Sequence, residues 1–295
     1  MQSNGKTLTY LAALTTLFIW GTTFVSTKIL IGCGLTPAEI LVARYVAAYA
    51  LFLVICPKPL RTHSVREELS FAACGVLTAI YFIFENTAIM YSTASNVSLL
   101  VTASPMFTGL LAHFFTKDEK ISRRFVVGCL FGIVGVFLIV CNGHFILHLN
   151  PLGDFLAVTA ALSFAFYSLI IKSIDSSYTP LQITRRTFFY ALLSFAVLIF
   201  TPAYHWKPQV LFEPKIAANL LFLGVGASAL CYLLWNKVIR SLGAVRANGM
   251  IYLIPAVTMV FAAIILRERI TLLALVGGLL ILCGVCISQN GGDKN

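Results

Sequence analysis

Two stretches of this sequence repeat each other at a fixed distance. Glu119-Lys120-Ile121-Ser122, followed by Gly128 and then Gly135-Val136, returns as Glu268-Arg269-Ile270-Thr271, Gly277 and Gly284-Val285 with identical spacing. Upstream, Ala94 to Pro105 matches Ala244 to Pro255 at a constant offset of 150, with the proline deep in an apolar run both times. Each copy holds five hydrophobic spans. An odd number of crossings turns the second copy upside down relative to the first, an arrangement from which secondary transporters build access to one site from both sides of a membrane. The repeat therefore points to transport.

Composition agrees. At 59% hydrophobic and 11% charged residues, with a mean hydropathy of +0.91, a soluble domain could not hide the apolar surface that a bundle facing lipid requires. Spans of about 20 apolar residues suit a hydrocarbon core of roughly 30 Å. Ten are expected: 8–30, 36–56, 69–91, 93–115, 122–141, 153–171, 179–200, 216–236, 242–265 and 270–288. The fold class expected is an all-α membrane protein, ten transmembrane helices forming an inverted repeat of two five-helix halves around a central cavity. The two halves are 1–141 and 153–288, with a tail at 289–295. The N-terminal apolar stretch runs to full spanning length with no small-residue cleavage site behind it, which speaks against a signal peptide.

Lys and Arg set the orientation. With the N-terminus inside, 15 of the 21 basic residues fall on the inner side, five on the outer side, and Arg44 within a span. Both termini are expected in the cytoplasm, and the chain in a bacterial inner membrane. The net charge of +10 then reads as a topology signal and a bias toward anionic headgroups. Scattered over short loops, these residues make no nucleic-acid surface. Eight cysteines lie in spans or at their ends and form no disulfide framework. Cys283 and Cys286 have a CxxC spacing, but no histidine or second CxxC accompanies them, so packing is expected rather than metal or redox chemistry.

Trp20-Gly21-Thr22-Thr23-Phe24, Glu85-Asn86-Thr87-Ala88, Ser95-Asn96 with Pro105, and the duplicated Glu-basic-Ile-Ser/Thr box resemble the EamA-type branch of the drug/metabolite transporter superfamily over nearly the whole chain. The resemblance implies a ten-helix exporter or importer with an inverted five-helix repeat, a central cavity, and cargo such as amino acids or related metabolites. The second copy departs from the first in having Trp235 where the first has Glu85, and Arg185-Arg186 mirrors Arg44 only approximately.

Polar residues inside spans mark a path, because a charge at the bilayer centre costs at least ~2.5 kcal/mol. Glu85 lies about six residues, roughly 9 Å, below the end of span 3, and Arg44 lies at similar depth in span 2. Two readings stay open: a buried ion pair between them, or Glu85 binding a cationic group or coupling proton. Glu39 faces another side of span 2 from Arg44, as an interfacial or gating residue. Helical spacing assembles the remaining candidates. They are Trp20 and Thr23 on span 1, Tyr81 and Glu85 on span 3, Ser98 and Thr102 on span 4, Tyr167 on span 6, Ser228, Tyr232 and Trp235 on span 8, and Asn248 and Tyr252 on span 9. The competing reading is close helix packing, the role expected for Gly128, Gly132, Gly135, Gly277 and Gly284. Pro105 and Pro255 each remove a backbone hydrogen bond from a span, as hinges or as static bends.

Gly226-Ala227-Ser228 faintly suggests a nucleophile turn, yet no histidine lies mid-span to serve as base, and no HExxH or phosphate loop is present, so an enzyme is not expected. With no ATP-binding motif, movement runs down a gradient or couples to protons or another ion. An aromatic-lined cavity with one acid suits an amino acid or similar zwitterion or cation carrying an apolar part, moved by an exporter or exchanger. The alternatives are a channel- or scramblase-like pathway, or an importer of a nucleotide-type metabolite such as S-adenosylmethionine or a nucleotide sugar. The expected partners are small-molecule cargo and the lipid bilayer, with no cofactor and no metal, and the expected assembly is a monomer or homodimer.

Overall fold

A computed structural model describes residues 2–57, 62–91, 97, 100–116, 122–141, 151–174, 176–202, 204–205, 208–266 and 272–289. No strand occurs among them. The helices are α1 (Gln2–Gly32), α2 (Pro37–Ile55), α3 (Val65–Tyr91), α4 (Ser104–Phe115), α5 (Arg123–Cys141), α6 (Pro151–Ser173) and α7 (Pro180–Ala196). A 3-10 turn, Val197–Phe200, extends α7, and another spans Pro208–Phe212. Next, α8 (Pro214–Leu221) continues through a π-helical segment, Phe222–Leu230, into α9 (Cys231–Leu242). The chain ends with α10 (Ala244–Gly249), a 3-10 turn (Met250–Tyr252), α11 (Leu253–Leu266) and α12 (Leu272–Gln289).

Local chemistry fixes several boundaries. Thr36 caps α2 and Thr179 caps α7 in the same way: each side chain accepts from the backbone of the residue three later, Glu39 or Gln182, whose side chain reaches back. A proline follows each cap, where its missing N–H costs nothing. Glu39, expected as an interfacial or gating residue, is thus committed to a capping box. Span 8, expected to stop at 236, runs on to Leu242 because Val238 and Ile239 remain buried. It ends at Gly243, whose φ of +88° suits glycine.

The surface is inverted relative to a soluble protein. Leu11, Leu14 and Phe18 of α1 and Leu275, Leu279 and Leu282 of α12 face outward, while Thr16, Arg44, Thr78, Glu85, Asn86, Asn236 and Asn248 are buried. Lipid in place of water outside accounts for that distribution. Among the described residues, six helices are long and apolar enough to cross a membrane: Lys6–Gly32, Pro37–Ile55, Val65–Tyr91, Pro151–Ser173, Pro180–Phe200 and Pro214–Leu242. Of the other four expected spans, 93–115 and 270–288 include residues outside the described set, at 93–96, 98–99 and 270–271, while 122–141 and 242–265 are described but flanked by such residues at 117–121, 142–150 and 267–271. The repeated Glu-basic-Ile box also lies mostly there.

Glycines carry the closest helix contacts. A Cβ on Gly75 of α3 would stand 2.8 Å from the Thr187 carbonyl oxygen of α7, and one on Gly224 would stand 2.8 Å from the Arg44 carbonyl oxygen of α2. Between α5 and α12, a Cβ on Gly128 would stand 2.6 Å from the Gly284 oxygen, and one on Gly135 2.5 Å from the Gly277 oxygen. Only glycine lets backbones approach so closely. Elsewhere α3 packs on α6 and α7, α1 packs on α9 and α11, and α4 packs on α6.

Candidate functional site

The helices converge on a cavity of about 50 Å3. Its walls are Trp20, Thr23 and Phe24 of α1, Arg44 of α2, Tyr81, Phe82 and Glu85 of α3, and Phe164 of α6. Val101 and Thr102 just before α4, Ser104 at its start, Tyr232 of α9, and Ile251 and Ile254 before and within α11 complete it. Seven residues expected in the path, Trp20, Thr23, Arg44, Tyr81, Glu85, Thr102 and Tyr232, therefore line one space. Helical spacing placed Tyr81 and Glu85 one turn apart.

The aromatic wall is braced from behind. The indole N–H of Trp20 donates to the Ala227 carbonyl oxygen at 3.0 Å, tying α1 to the π-helical segment. Its ring meets Tyr232, Trp235 and Phe164 at centroid separations of 5.5, 5.2 and 6.1 Å, edge-on or tilted as ring quadrupoles favour. Trp235 is completely buried behind this wall. Thr23 spends its hydroxyl on the Trp20 carbonyl, at 2.7 Å.

The two charges do not meet. Tyr81 donates to Glu85 Oε1 at 2.9 Å, while the Arg44 Nε–H donates to Ser228 Oγ and its guanidinium lies 4.3 Å over the Phe82 ring. The ion pair read as one possibility from sequence is thus not closed, because each group has a nearer neutral partner. Ser228 belongs to the site as the support of Arg44 rather than as cavity wall.

Four other candidates point elsewhere. Tyr167 donates to Asn236 Oδ1 at 2.6 Å, and Asn236 donates to Thr184 at 2.9 Å, which ties α6 and α9 to α7. Asn248 donates to Thr108 at 2.6 Å and to Ser168 at 3.0 Å, so α10, α4 and α6 share its amide. Tyr252 packs its ring on Gly132, and Trp235 has been placed above. Ser98 lies outside the described residues. Pro105 falls in the first turn of α4, after a turn closed by Ala103 N–H to Leu100 O at 3.1 Å. Pro255 likewise falls in the first turn of α11, after a 3-10 turn. Each proline thus stands in the first turn of an α-helical stretch, and the change in helical winding precedes it. Phe24, Val101, Phe164, Ile251 and Ile254 were not expected in the wall, since a search for polar and hydroxyl-bearing faces passes over apolar lining, and Ser104 was missed because it lies off the helical spacing of Ser98 and Thr102.

At one end of the bundle, Arg186 pairs with Glu68, which also accepts from Tyr190, joining α3 to α7. Beside it Tyr178 donates to Glu67 at 2.7 Å. At the other end, Glu39 accepts from the His205 backbone at 3.2 Å.

The model of the EamA-like transporter family matches residues 7–141 and again residues 151–289. An uncharacterized transporter of Archaeoglobus fulgidus is 27% identical over 286 residues, covering 95% of this chain and 96% of that one. A probable terminal-alkyne amino-acid exporter of Streptantibioticus cattleyicolor is 27% identical over 281 residues, 94% of this chain and 91% of its own. A solved structure described only as a crystal structure of protein superposes with a TM-score of 0.79 at 14% identity, covering 96% of each chain, so the fold is shared.

Proposed function

The chain belongs to the EamA-like transporter family, a multi-pass membrane transporter and not an enzyme, and on that premise we propose that it is a secondary carrier of a small amino-acid-like metabolite. The carrying observation is the central cavity, where one guanidinium and one carboxylate, unpaired with each other, share a space walled by Trp20, Tyr81, Phe82, Phe164 and Tyr232. A zwitterion with an apolar or aromatic side chain matches that chemistry. The probable terminal-alkyne amino-acid exporter of S. cattleyicolor supports this cargo class. At about 50 Å3 the cavity is well below the roughly 300 Å3 of ordinary ligand pockets, so cargo enters only as the walls part. That constriction favours a carrier that alternates access over an open pore. Export or exchange, by gradient or ion coupling, is the direction we favour, with no cofactor.

The architecture we propose is the ten-helix inverted repeat. Its support is reciprocity. Gly75 and Gly224 are 149 positions apart, and their partners Thr187 and Arg44 are 143 apart, so each half offers a glycine to the other half's second helix. Gly128 meets Gly284 while Gly135 meets Gly277, although Gly128 corresponds to Gly277 and Gly135 to Gly284. Swapped partners of this kind are what a two-fold relation generates. In this register Thr187, not Arg185 or Arg186, stands opposite Arg44. With both termini cytoplasmic and the chain in a bacterial inner membrane, the Glu68–Arg186 end faces the cytoplasm.

Counterflow in liposomes tests the reading. Purified protein should exchange labelled L-phenylalanine or another neutral amino acid saturably, with acceleration by unlabelled amino acid on the far side. Linear, unsaturable flux would indicate a pore, and no exchange of any of the twenty amino acids would remove the cargo assignment.

A further inference from the structure

Resting on the assignment of the central cavity as the cargo site, we propose that Arg44 binds a carboxylate of the cargo and that Ser228, in the π-helical segment, is the positioning residue that aims it. Arg44 is 4% exposed and lines the cavity. A buried guanidinium in a membrane bundle is normally offset by an acid. Here no carboxylate lies within 4.0 Å among the described residues, and the acid in the same cavity, Glu85, is engaged by Tyr81. Among the described residues, only Nε is spent on a protein acceptor, the Ser228 hydroxyl. The two terminal nitrogens hold no hydrogen bond among the described residues, and the flat face of the group rests on Phe82 at 4.3 Å. Held at its base and on one face, the guanidinium keeps a planar fork of donors free, the geometry that grips a carboxylate with two parallel bonds.

The segment that supplies Ser228 is itself unusual. Nine residues in π-helical winding depart from the common single-turn bulge, and such winding gathers at functional sites. It touches Arg44 twice, through the Ser228 hydroxyl and through Gly224 against the Arg44 carbonyl oxygen. It also accepts the Trp20 indole at Ala227. One stretch of backbone thereby sets the cation and the aromatic wall together. Glu85, one helix away, then takes the ammonium of the same cargo.

The test is equilibrium binding by titration calorimetry of the purified full chain in nanodiscs, with L-phenylalanine and with L-phenylalaninol, which keeps the ammonium and ring but has CH2OH for the carboxylate. Wild type should bind L-phenylalanine about 10- to 100-fold more tightly, the range for a charge-assisted pair. Arg44→Lys keeps the charge, and with it the fold, but loses the fork and the Ser228 bond, so the preference should shrink several-fold. Ser228→Ala should reduce it less, while phenylalaninol affinity stays near wild type. Equal affinities in wild type, or an undiminished preference in Arg44→Lys, would overturn the assignment of Arg44 and leave the amino-acid carrier intact. Binding of neither compound, together with absent counterflow of every amino acid, would remove both readings.

Discussion

Gly224 and Gly226 stand two residues apart in the π-helical segment, and one added methyl at each should have opposite effects. On Gly224 the new carbon falls 2.8 Å from the Arg44 carbonyl oxygen and 2.9 Å from Ala47 Cβ; on Gly226 the nearest atom is Phe222 Cδ2 at 3.6 Å, an ordinary contact. Neither obstacle at Gly224 can swing aside, since one is backbone and the other is fixed to it. Overpacking of this kind costs about 1 to 3 kcal/mol, only partly offset by the roughly 1 kcal/mol gained when alanine replaces glycine in a helix. Gly226→Ala keeps the gain, about 0.4 to 1 kcal/mol. The two variants should differ by about 2 kcal/mol, some 4 °C or more in unfolding midpoint at roughly 2 °C per kcal/mol for a chain of this size. Scanning fluorimetry in one detergent measures it. Counterflow adds a second readout: Gly224→Ala pushes α2 away from Ser228 and should raise the half-saturation concentration, while Gly226→Ala should leave it. Midpoints within a degree of each other, or in reversed order, would refute the view that this contact sets the spacing of α2 and the π-helical segment.

Three further outcomes are expected. Asn248→Ala should lower stability by about 1 to 3 kcal/mol through lost packing and lost hydrogen bonds, with half-saturation unchanged, because its amide serves Thr108 and Ser168; a large affinity change with normal stability would return Asn248 to the cargo site. A double-mutant cycle on Glu68→Gln and Arg186→Gln should give a coupling of about 1 kcal/mol or less in thermal stability, since both side chains are about a quarter exposed (23% and 28%) and solvent screens the pair; a coupling of several kcal/mol would mean a desolvated pair. In a background without native cysteines, impermeant maleimide added outside cells should label Gln209→Cys and reach Arg66→Cys only after lysis, and the reverse pattern would invert the proposed orientation.

Much of the membrane architecture was legible because apolar length is a local property of sequence. Arg44, Glu85, Tyr81, Trp20 and Tyr232 were found by helical faces because buried charge and mid-span aromatics stand out against leucine. Tyr167 and Asn248 share those faces, yet their polar ends turn to Asn236, Thr108 and Ser168 on neighbouring helices, and no single-helix pattern encodes a neighbour. The open relation of Arg44 and Glu85 was equally hidden: depth brought them level, but Ser228 lies 184 positions from Arg44. The π-helical winding of Phe222–Leu230 leaves no sign in a run of small and apolar residues. Ten spans read from hydropathy compare with six among the described residues: 93–115 and 270–288 include residues outside that set, and 242–265 is divided between α10, a 3-10 turn and α11.

The seam between α5 and α12 has a mechanical consequence. Where side chains interlock, helices can slide by exchanging rotamers, each new register costing little. At Gly128 against Gly284 and Gly135 against Gly277 main chain meets main chain, with Ser288, Ile281 and Phe131 packed close beside the crossing. Such a joint resists shear but tolerates a small change of angle, so it works as a pivot. Among the described residues, neither helix contributes to the wall of the central cavity, so in the proposed carrier this pair would stay joined while the helices that wall the cavity part.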